Sequence, residues 1–369
     1  MRAIRLHEFG PATNLVLDEL PDLTPAAGQV RVAVEASGVH LLDTSLRRGE
    51  PGPMPAPELP TIPGREVAGV VDRVGAGVDG SWRGRRVVAH LGLVPGGYAE
   101  QAVTGVAALF PVPDHVSFPD AVAAVGTGRT AQGILELEPP TPDDVVLVPS
   151  AAGGLGWLLA QAARAVDATV VAAAGGPARV AALAPLDADL VADYTGPGWA
   201  ETVRAATGGV TLVYDGVGGD VGRAALELLR PGGRLVMFGH SAGEPTRFDT
   251  DDVVSRAISV GWSLGPRMQS LPGGVPGLAA RALDRVGASE WRPLVTTYPL
   301  AEAARAHADL EARRALGKVV LVTGRQWALS RGECIGLGRF RPGGLRVWVR
   351  MRGWKCVGWR WICWPRGIR

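Results

Sequence analysis

The chain has 369 residues, 47% of them hydrophobic and 20% charged, long enough for two separate cores and too apolar for a disordered protein. No uninterrupted run of about 18 apolar residues is present to span a membrane, and the opening MRAIRLHEFG lacks the apolar stretch of a secretory signal, so a cytoplasmic protein is expected. The net charge of +2 hides an asymmetry: residues 325–369 carry eleven Lys and Arg and one acid, Glu333, while residues 1–324 carry 27 basic and 35 acidic residues, net −8. An acidic body has no general attraction to nucleic acid. With Cys334, Cys356 and Cys363 all beyond residue 324, that body has no disulfide, thiolate nucleophile or cysteine metal site.

In chain order, QVRVAVEASG (29–38) alternates apolar and polar residues as a half-buried strand does. VAGVVDRVG and RRVVAHLG repeat the pattern between Pro and Gly clusters, which predicts an all-β unit, a small barrel. RRGEPGPMPAPELPTIPG (47–64), with six prolines, reads as a stiff surface loop of the kind that borders a site. After Pro119 the rhythm becomes strand, helix, strand. DVVLVPS, ATVVAAAGG, TLVYDGVGG and GRLVMFG read as buried parallel strands and WLLAQAARAV as a crossover helix, hence a doubly wound sheet. PLAEAARAHADLEARRALG (299–317) reads as a helix stopped by glycine, and KVVLV (318–322) as a strand returning to the β unit. The last segment, 325–369, holds six of the eleven tryptophans without helical or strand period. Its alternatives are a disordered extension outside the fold or a cationic aromatic arm for an anionic surface.

Between the first parallel strand and its helix stands SAAGGLG (150–156), with Ala151, Gly153 and Gly156 at the three spacings of a dinucleotide-binding turn. Gly153 lets the backbone approach a pyrophosphate, Gly156 lets helix and strand pack closely, and the helix start offers free N–H groups to the anion. The following strand ends without the acid that would bond a ribose 2′-hydroxyl. It is followed instead by Arg179, which suits the 2′-phosphate of NADPH, the alternative being a solvated helix arginine.

With GVHLLDTSLRRG, PGREVAGVVDRVGAGV, GGYAE, GRTAQ, VYDGVGG, FGHSAG and YPLAEAARAH…GKVVL in the same order over residues 1–324, the chain resembles the zinc-independent quinone oxidoreductases of the medium-chain dehydrogenase/reductase superfamily. The resemblance implies an α/β protein, a GroES-like β-barrel catalytic domain (1–118 and 265–324) plus a Rossmann NADPH domain (119–264), usually a homodimer. It implies that Thr130, Gly153, Gly154, Leu155, Arg179, Tyr194, Val217, Gly239, Ser241 and Lys318 line NADPH. Zinc relatives carry Cys and His where this chain has His40 and Arg65, so no zinc is expected, since His40 and Glu66 fall short of three ligands. Quinone reductases commonly carry Asn in place of His40. That histidine is a candidate proton donor to the reduced acceptor, with Asp43 orienting it, the alternative being a packed histidine. The expected activity is hydride transfer from NADPH to a quinone or related conjugated carbonyl. The alternatives are a 2-alkenal or enone reductase and an NADPH-binding protein with little turnover.

Overall fold

The computed structural model describes residues 1–50, 55–92 and 96–324; the Trp- and Arg-rich segment 325–369 and both readings of it lie outside the described residues. β1 (Arg2–Leu6) and β2 (Leu15–Glu19) pair antiparallel. β3 (Gln29–Val39) leads directly into α1 (Leu41–Arg48), followed by β4 (Glu66–Val74), β5 (Arg86–His90), β6 (Gln101–Gly105) and β7 (Leu109–Pro111). Next come α2 (Phe118–Ala123), one π-helical stretch (Ala124–Gly128) and α3 (Arg129–Leu137). The alternating region then runs β8 (Val145–Val148), α4 (Gly154–Ala165), β9 (Thr169–Ala174), α5 (Pro177–Ala181), β10 (Leu190–Asp193) and α6 (Trp199–Thr207). It continues through β11 (Val210–Asp215), α7 (Gly219–Glu227), β12 (Leu229–Met237), α8 (Thr250–Arg256) and β13 (Ser259–Trp262). α9 (Pro266–Gln269), α10 (Gly274–Gly287), β14 (Val295–Pro299), α11 (Ala303–Glu311) and β15 (Lys318–Val322) close the described chain, α9 and α10 resting on α3.

β8 to β13 form one parallel sheet in the order β10-β9-β8-β11-β12-β13. Chain direction across the sheet reverses between β8 and β11, and ligands of such sheets bind in the crevice at that reversal. Val146, Leu147 and Val148 are wholly buried, as a parallel strand covered on both faces requires. The other sheet is ordered β14-β15-β3-β4-β5-β7, with β6 also on β3; as expected, KVVLV returns to the β unit, antiparallel to β3.

Two elements differ from the expectation. β3 is buried along nearly its whole length rather than on one face. Its polar members are covered because they are paired: Arg31 donates two hydrogen bonds to the Asp72 carboxylate, at 2.9 and 2.7 Å, and a third to the Leu23 carbonyl. The last helix stops at Glu311, six residues short of Gly317. Arg313 adopts a left-handed backbone (φ +56°), and the Arg314 N–H bonds back to the Asp309 carbonyl at 2.8 Å, closing the helix with an arginine in a position that glycine usually fills.

Candidate active site

Strand register assembles the first part of the site. β15 pairs with β3 through Val319 opposite Val39 and Val320 opposite Gly38, which sets Lys318 across from His40. β3 pairs with β4 through Ser37 opposite Val67, which sets Gly38 across from Glu66, and Glu66 in turn pairs with His90 on β5. The side chains converge. Nε2 of His40 lies 2.6 Å from the Glu66 carboxylate and 2.7 Å from the Lys318 ammonium, and that ammonium donates to the second Glu66 oxygen at 3.0 Å. The Arg129 guanidinium stands 3.9 Å from Glu66.

Glycines make room for this cluster. A Cβ at Gly38 would lie 2.3 Å from a Glu66 carboxylate oxygen, and one at Gly126, inside the π-helical stretch, 2.2 Å from it. Isolated π-helical turns are frequent at functional sites, and this one brings its backbone against a buried charge. Burial pushes the Glu66 carboxyl up, but His40, Lys318 and Arg129 more than offset that and hold it well below the usual carboxylate range. Burial also draws the Lys318 ammonium below its usual range, against the pull of Glu66. The His40 ring is 28% exposed, whereas Lys318 and Glu66 are 4% and 1% exposed.

Asp43 meets His40 through the backbone rather than through a carboxylate–imidazole bond. Its carboxylate accepts from the His40 backbone N–H at 2.8 Å and from the Tyr98 hydroxyl at 3.2 Å, and the His40 side chain accepts from the Asp43 backbone N–H, a capping box at the start of α1. Glu66 and Lys318 hold the other side of the ring, at Nε2. Lys318 likewise has its ammonium taken up by Glu66 and His40 rather than held open for a dinucleotide. Beside α1 lies a largely apolar cavity of about 250 Å³, lined by Leu46, Pro55, Pro57 and Pro63 with Asp43 and Arg65 among its polar walls, so the proline-rich loop does border a pocket.

The glycine turn abuts this cluster. Gly153 bridges to Gly317, whose N–H donates to the Ala152 carbonyl at 2.9 Å, so the turn before α4 is tied to the residue preceding Lys318. A Cβ at Gly156 would lie 2.1 Å from the Ser150 carbonyl oxygen, the close helix–strand approach expected of that position. Gly153, Gly154 and Leu155 are half-buried at the helix start, with Thr130 half-buried in the first turn of α3. The turn after β11 holds Val217, whose N–H donates to Asp215 at 2.8 Å, and Ser241 donates its N–H to the Gly216 carbonyl at 3.2 Å, with Gly239 packed over Gly216.

At the far end of the crevice, Tyr194 closes β10 with its hydroxyl over Gly175, and Arg179 donates to the Arg313 carbonyl at 3.0 Å. Arg313 in turn donates to the Ser241 carbonyl. Neither guanidinium is ion-paired to a carboxylate among the described residues, and Arg179 Nε is buried without a hydrogen-bond partner, as is the Ser150 hydroxyl beside Gly216. Burial draws Arg179 below the usual guanidinium range; the nearby Tyr194 opposes this and the Arg313 charge adds to it. Two cations facing each other without an anion, next to donors left unpaired, fit the phosphates of a dinucleotide. Arg313 and Arg129 were not legible as site residues: a positive φ at an arginine and a π-helical turn leave no local signature in the sequence.

Residues 26–114 match the alcohol dehydrogenase GroES-like domain family and residues 154–280 the zinc-binding dehydrogenase family. The chain is 32% identical to a 2-haloacrylate reductase of Burkholderia sp over 86% of its length and 97% of that relative. It is 30% identical to quinone oxidoreductase 1 of Escherichia coli strain K12, over 86% of this chain and 98% of the other. The chain belongs to the zinc-independent quinone oxidoreductase family of the medium-chain dehydrogenase/reductases. Among solved structures, Escherichia coli quinone oxidoreductase complexed with NADPH superposes with a TM-score of 0.74 at 26% identity, covering 87% of this chain and all of that one. The donors around Glu66 do not suit the zinc that one family's description implies. The carboxylate already faces the Lys318 ammonium and the Arg129 guanidinium, and Arg65 stands 3.9 Å from Asp43, so a dication would enter a cluster of cations. No helix among the described residues is long and apolar enough to cross a membrane.

Proposed function

We propose that this oxidoreductase binds NADPH along the crevice and reduces a quinone or related conjugated carbonyl, with His40 donating the proton that completes reduction. The observation that carries the reading is the pairing of a glycine turn and two carboxylate-free arginines at one end with a partly exposed imidazole at the other. NADPH bound there supplies two electrons as a hydride from its nicotinamide. Arg179, Tyr194 and Arg313 hold the 2′-phosphate, the α4 start receives the pyrophosphate, and Thr130, Gly153, Gly154, Leu155, Val217, Gly239 and Ser241 line the path between. The partly exposed His40 ring, held through Nε2 by Glu66 and Lys318, is the proton donor to an oxygen that gains negative charge. The apolar cavity beside α1 supports a flat, weakly polar acceptor.

The relative named 2-haloacrylate reductase favours a second acceptor class, a conjugated carbon–carbon double bond. The division into a catalytic domain of 1–118 and 265–324 around a cofactor domain of 119–264, a homodimer and a cytoplasmic setting belong to the same proposal. The deciding experiment follows NADPH absorbance with a panel of quinones and 2-alkenals. Acceptor-dependent oxidation of NADPH in preference to NADH is expected. Tight NADPH binding with no oxidation by either class overturns the reading in favour of a binding protein.

A further inference from the structure

Arg129 and His90 flank Glu66, and neither is used up by it. Glu66 lies opposite His90 in the β4–β5 register, and the Arg129 guanidinium stands 3.9 Å from the same carboxylate, beyond hydrogen-bond reach. That carboxylate is already bonded to His40 and Lys318. Arg129 donates no hydrogen bond to the described residues, although its side chain is only 19% exposed. Arg129 and Lys318 share one carboxylate, which leaves one positive charge over. The π-helical stretch sets this arrangement: Gly126 packs on Glu66, the Thr127 side chain would lie 3.1 Å from a Cβ at Gly154 in the cofactor turn, and Arg129 follows at once. His90, half-buried at the end of β5, is fixed as a donor. Its Nδ1 accepts the Gly92 N–H at 3.0 Å, so the hydrogen of the neutral ring sits on Nε2, which has no partner among the described residues. Burial, and then the Arg129 charge, keep the ring neutral, its pKa down to about 4. A neutral imidazole with a set tautomer offers a hydrogen bond without giving its proton away.

We infer that Arg129 and the Nε2–H of His90 hold the carbonyl oxygen of the acceptor as it turns negative; this rests on the reduction of a conjugated carbonyl at this end of the crevice. When the acceptor takes up a hydride, a C–H bond forms, a π-electron pair moves to oxygen, and that oxygen gains one negative charge. Both donors keep their hydrogens, and the proton that completes reduction still comes from His40. Both are catalytic residues under this assignment, since both touch the reacting oxygen. The surplus positive charge and the fixed N–H meet the charged oxygen more strongly than the uncharged acceptor, so they act on turnover rather than on binding. The phosphates of NADPH have their own donors at the start of α4 and at Arg179 and Arg313, which meet backbone carbonyls at the other end of the crevice. Removal of Arg129 or His90 therefore leaves the cofactor its contacts.

The test uses the full chain with NADPH and the best quinone acceptor. Arg129→Met is expected to lower turnover about a hundredfold or more and His90→Phe about tenfold, each with NADPH affinity, read by fluorescence titration, within about threefold of wild type. His90→Gln, whose side-chain amide still carries N–H, is expected to keep more turnover than His90→Phe. 4-Nitrophenol gives a reading without turnover. Bound to the wild type, it is expected to show its phenolate absorbance about one pH unit or more lower than in buffer, and to lose that shift in Arg129→Met. If Arg129→Met does not fold, Arg129→Gln is measured in its place by the same readings. Full turnover in both the arginine variant and His90→Phe, beside an inactive His40→Ala, overturns the inference alone. So does a loss confined to NADPH affinity or to the urea midpoint, and so does 4-nitrophenol that stays neutral or unbound in the wild type. A wild type that oxidises NADPH with neither quinones nor 2-alkenals brings down the reading beneath it.

Discussion

The two ends of the crevice handle charge in opposite ways. At the His40 end, a buried carboxylate, a buried ammonium and an imidazole are hydrogen-bonded to one another, and glycines at 38 and 126 leave no room for anything more. At the Arg179 end, two guanidinium groups meet only backbone carbonyls, and a guanidinium N–H stays unpaired. A closed network sets the state of its own members; an open one waits for an anion from outside. Substitutions at the closed end should therefore change stability and turnover, and those at the open end cofactor affinity.

The largest effect is expected at the centre of the closed end. Glu66→Ala strands a buried ammonium, and breaking a buried pair in this way costs about 3–5 kcal/mol, read as a lower midpoint in urea unfolding. Adding Lys318→Met should recover most of that loss; no recovery would show that the pair is not the source. Next, His40→Ala is expected to lower turnover about a hundredfold or more, equivalent to about 2.7–4 kcal/mol for one donor aimed at developing charge. Unaltered turnover would show that the ring serves packing only.

The wall behind the closed end supplies a pH test. His307 is fully buried against the Tyr98 hydroxyl at 3.1 Å, and burial, opposed by Asp43 and aided by Arg47 and Arg48, takes its pKa from 6.5 down to about 4. The unfolded chain binds the proton first. The stabilising contribution is thus whole above pH 6.5 and is lost as pH falls toward 4, about 3 kcal/mol in all. Unfolding free energies measured from pH 7 to 4.5 should decline less steeply in His307→Gln; parallel curves would remove His307 as the cause. The smallest effect is expected at the open end. Arg179→Ala should lose one or more charge-assisted hydrogen bonds to the 2′-phosphate, each worth about 1.5–3 kcal/mol, or roughly 10- to 150-fold in NADPH affinity. NADH affinity should stay level, and an unchanged NADPH to NADH ratio would break the distinction between the ends.

Much of the fold was legible because its signals are local. The buried strands 145–148 and 169–174 sit inside predicted apolar runs, and the glycine spacing at 153 and 156 answers to contacts within the same strand-turn-helix unit. Where the reading missed, the deciding partner was distant. Arg31 looked solvent-facing because Asp72, which allows its burial, lies on another strand. The helix through 299–317 looked continuous because arginine at 313 carries no stop signal, yet its left-handed turn is what brings that side chain to Ser241.

Composition, periodicity and the glycine turn were enough, without a structure, to establish an α/β protein with a dinucleotide crevice, since each depends on neighbours a few residues apart. The identity of His40 and its place at the end of β3 were also plain from the sequence. What holds its ring was not. Glu66 is 26 residues away and Lys318 is 278, and they meet His40 because β15 and β4 pair with β3 in one register among several that local propensity permits. Register is chosen by which faces the whole molecule buries, and a shift of one residue would turn Lys318 and Glu66 to the opposite face. The chemistry of His40 is therefore a property of the assembled sheet.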